Sequence, residues 1–226
     1  MFTSELCLQE KFIELKRDEL KENEKFLSEF NARFGNVDIV QVIVDDAHLM
    51  NYEQANLLSN YQFAKVIGYL HKKGVRTFDY IAKRTDYDGK VLSYLLSKLA
   101  KANIIKEVTP KRYIISHEFQ FPVLQFISFE AKLTNWKKAI IQATINKKFS
   151  SYSYVVLPFE LAIKLQKNQI HYFKNQNVGL IGVSKDRIDY IYKPNKDRVK
   201  ININPSFISS VAKYQIETSI FSIETG

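Results

Sequence analysis

Residues 123–143, VLQFISFEAKLTNWKKAIIQA, set the tightest limit on what this chain can fold into. Residues 123–129 form a mostly apolar run of Val, Leu, Ile and Phe, interrupted by Gln125 and Ser128, which reads as a buried strand. Glu130, Ala131 and Lys132 end that run. Side chains alternate along a strand, so Glu130 and Lys132, two positions apart, share a face. A carboxylate and an ammonium at the end of a buried strand lose hydration and need partners. Thr134 or Asn135 then caps a helix whose apolar positions Trp136, Ala139, Ile140 and Ala143 recur at helical spacing. That helix carries Gln142 forward. Trp136 reads as a packing residue.

With 226 residues the chain can bury a substantial core and hold one or two domains. No stretch approaches eighteen uninterrupted apolar residues, so no membrane span is expected. The start MFTSELCLQEKF lacks the basic and apolar runs of a secretory signal. The single cysteine, Cys7, excludes an internal disulfide and fits a reducing cytoplasm, where it reads as a small packed hydrophobe. Four scattered histidines and one cysteine cannot build a zinc site of the usual spacing. The net charge of +9 is concentrated: residues 62–113 hold twelve Lys or Arg against four Asp or Glu, and the remainder holds 21 against 20. Such a local basic excess suits a nucleic-acid partner, although it also serves solubility.

In chain order, residues 4–33 read as one long helix or two in sequence. Leu6, Phe12, Ile13, Leu15, Leu20, Phe26, Leu27 and Phe30 recur at three- and four-residue steps between mixed charges. Gly35 and Asn36 break that pattern and introduce a β-branched strand over 37–44, with Asp38 near its start. Asp45 and Asp46 close the strand, and 47–60 reads as a polar connection. Phe63, Val66, Ile67 and Leu70 mark a helix ending at Gly74. Thr77 caps a short helix over 78–84, a turn follows at 85–88, and Val91, Tyr94, Leu95, Leu96 and Leu99 mark a third helix. Residues 104–108 and 112–115 form a hairpin around Pro110. A strand over 152–158, a helix over 159–168 and a strand over 178–183 come next. Gly179 and Gly182 are read as allowing close helix packing, since no phosphate-loop pattern surrounds them. Hairpin strands are expected at 187–192 and 199–203, then a helix and an extended tail over 206–226.

The strand, Glu-x-Lys and helix sequence, with its EAKL, Trp and QA context, resembles the PD-(D/E)XK nuclease superfamily. Residues 1–50 and 117–226 then form one discontinuous α/β domain with a restriction-endonuclease-like mixed sheet flanked by helices. The resemblance implies that Asp38 and Glu130 ligate a divalent metal, Mg²⁺ with Mn²⁺ as substitute, and that Lys132 steadies the attacking water or the phosphate charge. Gln142 is expected to hold Lys132 or the scissile phosphate, and Glu29, near the expected helix end, is a further acidic candidate. Asp38 can equally be a strand-end residue bonding nearby backbone, and Glu130 with Lys132 a surface ion pair. Residues 62–116 resemble the winged helix-turn-helix family, here as an insertion over 51–116, with Arg84, Lys90, Ser93, Lys111 and Arg112 as DNA contacts. The implied activity is metal-dependent hydrolysis of DNA phosphodiesters in the cytoplasm. The alternative is a non-catalytic DNA-binding transcriptional regulator on a degenerate nuclease scaffold. A homodimer and an activating protein partner both stay open.

Overall fold

The computed structural model describes residues 2–32, 35–45, 50–70, 74–197 and 204–223. In chain order the elements are α1 (Glu5–Arg17), β1 (Glu24–Ala32), β2 (Gly35–Val44), α2 (Tyr52–Ser59), α3 (Tyr61–Tyr69), β3 (Arg76–Thr77), α4 (Phe78–Thr85) and α5 (Gly89–Lys101). There follow β4 (Ile105–Thr109), β5 (Arg112–Ile115), β6 (Leu124–Ala131), α6 (Trp136–Asn146), β7 (Tyr152–Pro158) and α7 (Phe159–Asn168). The last elements are α8 (Ile170–Gln176), β8 (Gly179–Val183), β9 (Ile188–Tyr192) and α9 (Pro205–Ile223). The chain divides into two compact units: residues 1–45 with 124–199, and 46–123 with 200–226. Among the described residues no helix is long and apolar enough to cross a membrane.

The first unit is α/β, a six-stranded mixed sheet in the order β1-β2-β6-β7-β8-β9 flanked by helices. β1, β2 and β6 run antiparallel, β6, β7 and β8 parallel, and β9 closes the edge antiparallel to β8. The apolar run Tyr154–Leu157 within β7 follows from burial on both faces. Tyr154 and Val156 pack with Leu8 and Phe12 of α1, whereas Val155 and Leu157 pack with Ala139, Ala143, Ala162 and Phe173 of α6, α7 and α8. Gly182 lies close under α7, and a Cβ there would stand 3.2 Å from that of Ala162. At Gly179 the close neighbour is instead the Tyr154 ring, 2.1 Å from where a Cβ would sit.

One expectation fails in this unit. The apolar spacing over 4–33 predicts helix throughout, but α1 stops at Arg17, and Glu24–Ala32 is β1, laddered antiparallel to β2 from Glu24↔Ile43 to Ala32↔Gly35. Phe26 packs on Phe12 and Phe129, and Phe30 on Phe126 and Phe149, so tertiary contacts override the local spacing. Glu29 therefore lies on a strand, not at a helix end, with left-handed backbone (φ 51°). A seven-residue helix, α8, also follows α7 with no anticipating signal, and the strand expected over 199–203 lies outside the described residues.

The second unit is built from α2, α3, α4, α5 and α9 with a small sheet in the order β3-β5-β4. Phe63, Val66 and Ile67 of α3, Ile81 of α4 and Leu92, Leu95, Leu96 and Leu99 of α5 are all buried. Thr77 caps α4 by accepting from the Tyr80 N–H, and Asp88 caps α5 by accepting from the Lys90 and Val91 N–H groups. Three details depart from the sequence. The segment 47–60 contains the helix α2, opened by a capping box from Asn51 to Gln54. α3 ends at Tyr69, with Leu70 extended, short of Gly74. And α9 packs on α2 and α3, within this unit, where the sequence assigned 117–226 to the α/β part.

Candidate functional site

The site forms where β2 and β6 run out of ladder. Their last registered pair is Ile39↔Phe129, so the next step would set Asp38 against Glu130. Instead the Asp38 carboxylate takes the place of a strand carbonyl: Oδ2 accepts the Ala131 N–H at 2.8 Å. Lys132 Nζ donates to the same oxygen at 3.1 Å and to the Ala131 carbonyl at 2.9 Å, and its third neighbour is Glu5 Oε2 at 3.2 Å. The Lys132 N–H continues the ladder to β7, donating to the Val156 carbonyl. An ammonium has three protons, and three acceptors surround this one. Burial works against the Lys132 charge, but Asp38 and Glu5 outweigh it and hold its pKa above the ordinary lysine value.

Glu130 is in the opposite situation. It is 1% exposed, and burial together with the nearby Asp38 and Glu29 charges pushes its carboxyl up to about 7. Asn146 Nδ2, donating to Oε1 at 2.7 Å, and the Lys132 charge act the other way without cancelling the rise. Glu130 Oε2 is buried with no hydrogen-bond partner, as is Gln142 Oε1. Both residues line one small cleft of about 30 Å³, closed by Gly35, Asn36, Ile145 and Asn146. That volume admits an ion or a water molecule. Two carbonyl-type oxygens with vacant lone pairs are the donors a hard divalent cation takes.

The structure therefore brings Asp38, Glu130 and Lys132 together at adjacent strand ends. Glu29 lies on β1 at the level of Asp38, between the pairs Ser28↔Ile39 and Phe30↔Val37; its side chain is exposed, and its charge bears on Glu130. Of the two roles expected of Gln142, the hold on Lys132 is not made: Oε1 accepts nothing, and the side chain lines the cleft beside Glu130. The surface ion-pair alternative does not describe Lys132, which is buried and pairs with Asp38 and Glu5. Two site residues escape sequence reasoning. Glu5 belongs to a helix of mixed charges, where nothing marks it out. Asn146 carries a signal in retrospect, since it stands four residues after Gln142 on the same helix face. Among the described residues, no group of three or more His, Cys, Asp or Glu is set to hold a metal ion.

In the second unit Arg84, Lys90, Ser93, Lys111 and Arg112 are all exposed. Lys90 and Ser93 lie on the solvent side of α5 with Tyr94 and Lys98. Lys111 occupies the hairpin turn in left-handed backbone (φ 60°), and its carbonyl accepts the Phe78 N–H, seating the turn at the start of α4. Arg84 stands at the other end of α4, over the Tyr80 ring, which Arg76 also approaches. The basic groups thus extend along α4, about 12 Å for an eight-residue helix, rather than meeting at one point. No family model matches this chain, and neither a curated protein nor a solved structure matches it.

Proposed function

We propose that this chain is a metal-dependent DNA endonuclease, with a PD-(D/E)XK-like α/β unit and a winged helix-turn-helix-like unit that holds the DNA. The observation that carries the reading is the convergence of Asp38, Glu130 and Lys132, residues far apart in sequence, at one end of β2 and β6. Glu130 Oε2 and Gln142 Oε1, both unbonded beside the cleft, are donors that suit Mg²⁺; Asp38 does not line that cleft and has Oδ2 engaged by Ala131 and Lys132, so it would add only its other oxygen from the neighbouring strand. Mg²⁺ bound there supplies a water of lowered pKa and positive charge against the phosphate. Lys132, kept charged by Asp38 and Glu5, stabilises the negative charge that develops on the phosphate oxygens. In the second unit the exposed face of α5 offers Lys90 and Ser93 to a groove, and Lys111, Arg112 and Arg84 contact phosphates.

A specific observation favours the second reading, a non-catalytic DNA-binding regulator. All three Lys132 protons have acceptors within the protein, which describes a closed ion network as well as it describes a catalytic ammonium. Plasmid nicking separates the two. The endonuclease reading expects Mg²⁺-dependent nicking that disappears in Asp38→Ala and in Lys132→Ala. Unchanged nicking in those variants, or DNA binding with no nicking at all, rejects it.

A further inference from the structure

We propose that Asn146 is a positioning residue that presents one oxygen of Glu130 to a divalent cation, an inference that rests on the metal reading above. Asn146 closes α6, is buried, and stands one turn after Gln142, so both side chains address the Glu130 cleft. Its Nδ2 donates to Glu130 Oε1 at 2.7 Å and leaves Oε2 as the buried oxygen without a partner. A carboxylate bonded through one oxygen to a fixed amide keeps one orientation, and its second oxygen is set towards whatever occupies the cleft.

Asn146 is itself held from behind. Its main-chain carbonyl accepts both the Ser150 N–H and the Ser150 hydroxyl, each at 2.9 Å. Ser128 Oγ of β6 lies 2.9 Å from both Ser150 Oγ and Ser153 Oγ of β7, so its single proton serves one of the two contacts at a time. All three serines are buried. These hydroxyls tie the main chain at the end of α6 to β6, which carries Glu130, and to the neighbouring β7, and so fix the position from which the Asn146 amide reaches the carboxylate.

The test is Mn²⁺ titration of the full chain, followed by the loss of the free-ion electron paramagnetic resonance signal. Asn146→Ala is expected to raise the Mn²⁺ dissociation constant about 10- to 100-fold, the usual consequence of removing a partner of a metal ligand. Ala143→Gly, in the same helix, lowers the melting temperature but keeps the wild-type dissociation constant. If Asn146→Ala fails to fold, Asn146→Leu keeps the volume, lacks the donor and is expected to show the same weakening. Wild-type affinity in the Asn146 variants overturns the inference while leaving the metal reading intact. Equal weakening by Ala143→Gly also overturns it, since the effect is then one of stability. Absence of Mn²⁺ binding by the wild-type chain overturns the metal reading, and the positioning role falls with it.

Discussion

Replacing Glu130 with Gln keeps the shape and the Asn146 hydrogen bond and removes the charge, so it isolates what burial does to this carboxylate. The folded-state value near 7 lies above the ordinary 4.5. The folded chain therefore binds a proton that the unfolded chain has already released between those two values. Its contribution to stability is complete below the unfolded value and is lost as pH rises through about 7. Once ionised, the buried group costs about 3 kcal/mol relative to its protonated form. Gln mimics the protonated form at every pH. The variant should match the wild type at pH 5 and exceed it at pH 8.5 by a gap on the order of 10 °C in Tm. Thermal unfolding followed by circular dichroism in EDTA at both pH values measures this. A cation in the cleft stabilises the ionised form, so adding Mg²⁺ at pH 8.5 should raise the wild-type Tm and leave Glu130→Gln unmoved. A wild-type-to-variant difference that stays constant from pH 5 to pH 8.5 refutes the reasoning.

Lys132→Met removes the ammonium from a buried carboxylate, and breaking such a pair is expected to destabilise the first unit by about 3–5 kcal/mol, read by urea unfolding. Gly179→Ala drives a methyl into the Tyr154 ring and should destabilise by roughly 1–3 kcal/mol, again by urea unfolding; an unchanged midpoint would mean the ring yields freely. Arg112→Ala and Arg84→Ala should each weaken duplex binding without altering sequence preference. Each should also reduce the slope of log affinity against log salt by about 1, measured by fluorescence anisotropy. A slope that does not change removes that residue from the phosphate contacts.

How much of this was legible in the sequence differs from element to element. The run from β6 through α6 to β7 could be read closely, because it buries both sheet faces and its helix has a capping Asn and regular apolar spacing. Glu130 and Lys132 could be named because charged groups at the end of an apolar strand are conspicuous, whereas Asp38 is marked out by the resemblance, since alone it reads as a strand-end residue bonding nearby backbone. β1 could not be read. Phe26, Leu27 and Phe30 satisfy helical spacing, and what makes the segment a strand is its ladder to β2 and its packing on Phe12, Phe129 and Phe126. Glu5 stayed hidden for a related reason. Its role depends on α1 lying over the strand ends, and nothing within α1 distinguishes it from its solvent-facing neighbours. The placement of α9 on α2 and α3 is likewise a long-range packing choice.

The central claim is that the cleft beside Glu130 takes a divalent cation. It is tested most directly by crystals soaked in Mn²⁺ and measured at the manganese absorption edge. An anomalous peak at coordinating distance from Glu130 Oε2 is the predicted result. A well-ordered Glu130 in the same place with no peak beside it, at millimolar Mn²⁺, contradicts the account.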